Sequence, residues 1–270
     1  MDMTLNRSGL VLGGWCRRLL GLACVLALAL PARAAEPAAT TTGLLISYQV
    51  APAQRPALRQ ALGTTTRSRL QRLKDGGALA SYRLLFSRHA DSELWDAPAV
   101  VTFSGPVQAA RWREVERSTP AALDATALAL LTSVHTVPVE LVRAHAPATA
   151  PTSPVVLVIP YQSLVSAGDY LAYADGYVIP QFEGWMRESV LSQFAIFASS
   201  YAAGRPWSHM ILLDYRSEEA LAARAGVVAK VRAQLKDQPA WRSISESKAK
   251  VREEKQAVVA DDITDGEVGR

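Results

Sequence analysis

The chain repeats itself, and that limits its fold more than any other feature. Residues 78–103 align with residues 190–215 at a constant offset of 112, without a gap. Leu79 meets Leu191, Tyr82 meets Phe194, Leu84 meets Ile196, Trp95 meets Trp207 and Phe103 meets Tyr215. Upstream, Ile46-Ser47-Tyr48-Gln49 matches Ile159-Pro160-Tyr161-Gln162 at 113, and downstream Ala109-Ala110-Arg111 matches Ala222-Ala223-Arg224 at 113. Matching order at a fixed period points to one folding unit used twice. Between the copies, residues 146–154 are crowded with Pro and Ala, show no periodicity and read as a linker.

Each copy carries one pattern. Residues 44–50 and 155–161 are apolar, β-rich runs and read as strands. Leu58, Leu62, Thr66, Leu70 and Leu73 form a helical stripe, and Tyr170, Ala174, Val178, Phe182 and Trp185 form its counterpart. Two strands follow in each copy, 79–88 with 98–104 and 191–200 with 208–215, joined by loops carrying Asp91-Ser92 and Gly204-Arg205-Pro206. Helices are expected at 106–117 and 217–236, with Pro120 interrupting the first before helical composition resumes over 121–131. A last strand is expected at 134–143 in the first copy and, more weakly, at 241–245 in the second. Residues 246–270 read as a helical tail, with a surface helix over 246–260. The expected domains are thus 43–145 and 155–245.

The order in each copy is β-α-β-β-α-β, the ferredoxin-like split βαβ. Helices on one side of such a sheet leave its other face bare. Two copies solve this by stacking bare face on bare face, giving an α+β fold of two tandem ferredoxin-like repeats in a pseudo-dimeric barrel. This duplicated order, over residues 43–245, resembles the dimeric α+β-barrel superfamily. The resemblance implies a fold, and three kinds of function: a binding protein, a cofactor-poor or haem-dependent oxidoreductase, or a structural module. Fold does not choose among them.

The N-terminus sets the expected compartment. Arg17 and Arg18 precede an apolar run from Leu19 to Leu30, and Pro31-Ala32-Arg33-Ala34 supplies small residues where a leader is cut. Residues 1–34 therefore read as a secretory signal, with Ala35 the expected mature start and a periplasmic or secreted location. The run is shorter than the roughly 20 residues of a membrane span. Both cysteines, Cys16 and Cys24, fall in the leader, so the remainder has no thiol ligand or disulfide. The net charge of +4 also belongs largely to the leader, which carries four arginines against Asp2. The remainder, with 25 basic and 24 acidic residues, has no field to gather polyanions, so nucleic acid is not an expected partner.

Strand alternation sorts the side chains. Tyr82, Leu84, Phe86, Phe194, Ile196 and Ala198 are expected against helices, with His209, Ile211, Leu213 and Tyr215. The opposite set, expected between the sheets, is Gln49, Ser81, Arg83, Ser87, Thr102, Gln162, Gln193, Phe197, Ser199, Met210 and Asp214, a polar lining. Arg83 and Asp214 cannot sit there dry and unpaired. Either they pair, or the space is wet, or a ligand completes it. Glu253-Glu254 and Asp261-Asp262 read as a solvated face.

No HExxH, GxSxG, GxxxxGK[ST] or strand-to-helix GxGxxG motif is present. None of His89, His135, His145 and His209 lies near another, and no metal site is expected. His209, on the helix-facing side, reads as a core histidine, although the resemblance would make it a haem ligand to test. Tyr170, Tyr173 and Tyr177 share a helix face, either as core or as an aromatic wall with hydroxyl handles. The expected function is binding of a small, partly apolar molecule between the repeats or against that helix. The candidate ligand contacts are Arg83, Asp214, Gln49, Gln162, Gln193, His209, Tyr170 and Trp185, with no cofactor expected unless haem.

Overall fold

The computed structural model describes residues 41–90, 95–146 and 154–265. The expected leader, the Asp91-Ser92 loop and most of the expected linker lie outside the described residues.

In the first half, β1 (Thr41–Val50) leads into α1 (Arg55–Ala61), a π-helical turn (Leu62–Thr66) and α2 (Arg67–Asp75). β2 (Ser81–Ser87), β3 (Ala97–Thr102), α3 (Pro106–Ser118), α4 (Ala125–Leu128) and β4 (Leu131–His145) follow. The second half runs β5 (Val155–Ser163), α5 (Ala167–Tyr173), a second π-helical turn (Ala174–Val178), α6 (Ile179–Arg187), β6 (Leu191–Ser199) and β7 (His209–Tyr215). It ends with α7 (Glu218–Ala222), α8 (Arg224–Leu235), α9 (Pro239–Ser247), β8 (Arg252–Glu254) and β9 (Val258–Asp262). Polar side chains set several helix starts. Asp124, Ser166 and Ser217 accept from the third backbone N–H beyond them, satisfying donors that the helix leaves free. Among the described residues no helix is long and apolar enough to cross a membrane.

All strand pairings are antiparallel. The order is β7-β6-β4-β1-β3-β2-β9-β5, and β5 pairs again with β7, so eight strands close into a barrel. The two sheets therefore do not stack as separate layers. They join edge to edge through two seams, β4–β6 and β2–β9. Register matches between the halves as well as order. Leu45 faces Val137 as Val158 faces Val258, and Leu84 faces Ala99 as Ile196 faces Ile211. At the seams, Leu85 faces Asp262 as Phe197 faces Leu141. The two π-helical turns fall at the offset of 112 seen in the sequence.

The C-terminal stretch departs from expectation. Residues 241–245 belong to α9, with Trp241 buried, and residues 246–260 are not a surface helix. The second half's last strand is β8 with β9, two pieces of one interrupted strand along β5. The charged run around Arg252–Glu254 hid the strand-forming residues after it. Val258 and Ala260 turn into the barrel, while Val259 packs under the helices. That alternation is needed to close β2 onto β5. In the first half, the helix expected over 121–131 shrinks to the four residues of α4, before β4.

Candidate functional site

The barrel interior, expected to be polar, is an apolar core. Leu45, Leu85, Val100, Val137, Val139, Val156, Val158, Leu212 and Val258 fill it, with Phe197, Met210, Trp95 and Trp207. Alternation assigned the faces correctly, but the polar residues on the inward face sit toward the strand ends. Gln49 accepts from Ser133 Oγ at 3.0 Å, and Gln162 reaches only the Ser163 carbonyl at 3.5 Å. Neither meets the other candidates. A ligand between the halves would have to displace close-packed side chains.

Arg83 and Asp214 do meet, at 3.0 Å, across the two halves. Arg83 Nε also donates to Asp262 at 2.7 Å, and Gln193 Nε2 donates to Asp214. Asp214 is 0% exposed. Burial pushes its carboxyl up, and the Arg83 guanidinium works against that shift. Asp214 Oδ1 faces the Arg83 guanidinium at ion-pair distance without accepting a hydrogen bond, and the charges offset one another within the cluster, which makes it a structural ion set. The sequence reading missed Asp262. In a helix, Asp261 and Asp262 would share a solvated surface. In a strand they point to opposite faces, and Asp261 instead bridges Arg88 at 2.7 Å and Arg59 at 3.2 Å outside the barrel.

The helix-facing candidates form a second group. The His209 ring stacks on Tyr170 with centroids 3.6 Å apart, and Nδ1 lies 3.1 Å from Ser208 Oγ. Burial pushes its pKa down to about 4. Tyr170, Tyr173 and Tyr177 line one helix face, with successive centroids 5.9 and 5.3 Å apart. Trp185 lies in the same layer, tilted against Phe182. Arg252, which no sequence signal singled out, places its guanidinium 3.9 Å from the Tyr161 ring centroid and 5.4 Å from that of Tyr173.

A cavity of about 510 Å³ opens on the flank of the first half. Pro56, Arg59, Gln60, Gly63, Thr64 and Arg67, from α1, the π-helical turn and the start of α2, form one wall. Ile263 and Asp265 form the other. Thr64 Oγ1 donates to the Gln60 carbonyl at 2.7 Å inside the widened turn. Arg67 Nη1 donates to the Asp265 carbonyl at 2.8 Å, and its Nε meets no acceptor.

Haem requires an axial ligand with room for a macrocycle. A porphyrin at His209 would have to displace the packed tyrosines, so His209 does not fit that role. His89, His135 and His145 are exposed. Among the described residues no group of three His, Cys, Asp or Glu could hold a metal ion.

No protein-family model and no curated protein matches the sequence. Solved structures do match. A provisionally named monooxygenase from Lactobacillus acidophilus NCFM superposes with a TM-score of 0.53 at 11% identity, covering 83% of this chain and 94% of that one. An anthrone oxidase-like protein gives 0.51 at 10% identity, covering 83% and 91%. A variant chlorite dismutase from Candidatus Nitrospira defluvii gives 0.50 at 9% identity, covering 83% and 94%. The fold is thus that of the dimeric α+β barrels, as the element order implied. Identities this low carry the fold alone.

Two predictions follow from the buried groups. Asp214→Ala leaves Arg83 with Asp262 as its one carboxylate and should cost about 3 kcal/mol in chemical denaturation, with the Arg83→Met/Asp214→Leu pair recovering part of it. A loss within about 0.5 kcal/mol, the size of an ordinary surface change, would show that the cluster is not structural. His209 is held neutral, so the unfolded chain binds its proton below about 6.5 and the folded chain not until about 4. Stability should therefore fall as pH drops through that window, by up to about 3 kcal/mol from this group. His209→Phe should flatten that part of the profile, and an unchanged slope would refute the assignment.

Proposed function

We propose that this protein is an exported small-molecule binding protein, built from two ferredoxin-like units fused in tandem. Its ligand would be a small organic anion held in the cavity beside α1, not between the halves. The carrying observation is that cavity's donor set: Arg67, with one hydrogen bond to a backbone carbonyl and an Nε that meets no acceptor, beside Gln60 and Thr64. About 510 Å³ suits a small ligand. Pro56 and Ile263 offer apolar contact, and the arginines favour a carboxylate or similar head. The tandem origin is supported by the strand order and register common to the halves. Export rests on the leader pattern of residues 1–34.

The test is native mass spectrometry on protein purified from its own host. The polypeptide mass is expected to begin at Ala35, and retention of residues 1–34 would overturn export. A co-purifying acidic molecule is expected, lost in Arg67→Ala while the melting temperature of the ligand-free form stays put. Added octanoate or benzoate should raise the melting temperature of wild type, by about 2.7 kcal/mol of linkage at a hundredfold excess over Kd. An apo mass with no response to either carboxylate would sink the reading.

The names of the solved neighbours favour a second reading, an oxidoreductase. Oxygen uptake on adding anthrone would support it. Haem chemistry under that reading would need a ligand other than His209.

A further inference from the structure

The first half shows what a purely structural version of the second half's helix–sheet layer looks like. Where the first half has Leu58, Ala61 and Ala97, the second, at an offset of 112, has Tyr170, Tyr173 and His209. Leu131 stands opposite Val50 as Arg252 stands opposite Ser163, one strand register repeated. Tyr48 and Tyr161 are alike in both. In the first half these positions form an apolar core. In the second, four polar groups occupy the same layer, where each costs free energy unless it finds a partner.

The partners are incomplete. The Tyr170 and Tyr173 hydroxyls are buried and make no hydrogen bond. The Arg252 guanidinium lies over the Tyr161 ring, which uses its face and leaves the N–H groups radiating from its edge. Among the described residues no carboxylate reaches ion-pair distance of it. Glu254, on the same side of β8, is exposed and accepts instead from the Tyr161 hydroxyl at 3.3 Å. The guanidinium edge and the two phenol protons all seek acceptors, and the only oxygens beside them are the phenols' own, so donors outnumber acceptors in this part of the layer.

We propose that the second half binds a compact oxyanion, either inorganic or the carboxylate head of a small molecule, between the edge of the Arg252 guanidinium and the hydroxyls of Tyr170 and Tyr173. An anion there satisfies all three orphaned groups at once through charge-assisted hydrogen bonds. Burial pushes both phenols up in pKa, against the pull of Arg252, so they remain donors at neutral pH. Arg252 is half-buried and stands on a three-residue strand piece, which puts the entry at the sheet's edge. This site is separate from the cavity beside α1 and does not depend on it.

The test titrates the full protein with sodium formate and with sodium phosphate, against sodium chloride at matched ionic strength, reading the melting temperature. A saturable rise absent with chloride is expected. Formate alone being effective identifies a carboxylate head, and phosphate alone an inorganic oxyanion. The Tyr170→Phe/Tyr173→Phe pair should bind about tenfold more weakly. In an Arg67→Ala background, which disables the cavity beside α1, the response should persist, and adding Arg252→Met should abolish it. Should Arg252→Met fail to fold, the double Phe variant carries the test, because it removes only two oxygens. Its melting temperature without anion is expected at or above that of wild type. A fall there would mean that the hydroxyls already have partners, and would overturn the proposal. So would a wild-type response no greater than that to chloride, or one that the Phe pair leaves intact.

Discussion

A sheet with helices on one face has a second face that must be hidden from water. Each half of this chain makes such a sheet, with its last strand next to its first, then its third, then its second. The outer strands of each sheet would expose unpaired backbone, which invites non-native pairing. Both needs are met by one arrangement. The last strand of each half pairs with the second strand of the other, and the bare faces become the inside of a barrel. The interior then fills with aliphatic side chains at the packing expected of a core. With the barrel solid, a ligand of the kind proposed would sit between sheet and helices or on the helices' outer flank. The polar layer around Arg252 and the cavity beside α1 lie in those two places.

The two seams share one backbone register and differ in chemistry. At β2–β9, Asp262 points inward to Arg83 and Asp261 outward to Arg59 and Arg88. Their equivalents at β4–β6 include Leu141 and Ala195, packed against the barrel core. The hydrogen bond between Gln193 and Asp214 has its counterpart in Ser81 and Thr102, 2.6 Å apart. The ions thus accompany, at one seam, a polar pair found in both halves. Buried ion sets add little net stability over apolar packing, but they penalise mispairing heavily. In a barrel made from two like halves, the seam closed by the C-terminal strand is the one that needs such discrimination. A slipped or swapped β9 would take Asp262 away from the buried Arg83–Asp214 pair and leave that pair one carboxylate short.

Much of this architecture was legible before any coordinates. The offsets of 112 and 113 carried the strand order and register, because side-chain alternation leaves little freedom once one face is buried. Alternation also put Arg83 with Asp214 and turned His209 toward the helices. What it missed has specific causes. The polar lining expected inside the barrel came from weighting polar residues at strand ends over Leu85 and Leu212, which share those faces. Arg252, Glu253 and Glu254 read as a solvated helix, because a short edge piece of strand lacks a hydrophobic signal and its register comes from β5. Asp262 and Arg252 were hidden for the same reason, and the partner of each lies far off in sequence. Arg67 looked like any helix surface residue until the C-terminal segment was laid across from it.

The π-helical turns show how one irregularity at equivalent places serves the two halves differently. Such a turn widens the helix and displaces a carbonyl from its usual partner. In the second half the Tyr177 carbonyl accepts from Gln181 Nε2 at 2.8 Å and from Trp241 Nε1 at 3.1 Å. α9 closes over the turn so tightly that a Cβ on Gly176 would lie 2.6 Å from Ile244 Cδ1. The equivalent of Gly176 is Thr64, which lines the open cavity. The difference traces to the segment before each last strand. α9 has nine residues and brings Trp241 and Ile244 over its turn, whereas α4 has only four and packs on α1. Sealing one turn let the second half's layer become deeply buried, the condition under which Tyr170, Tyr173 and Arg252 act strongly on a small charge. Leaving the other turn open kept a shallow, solvated recess where guanidinium groups can meet a larger ligand at little desolvation cost.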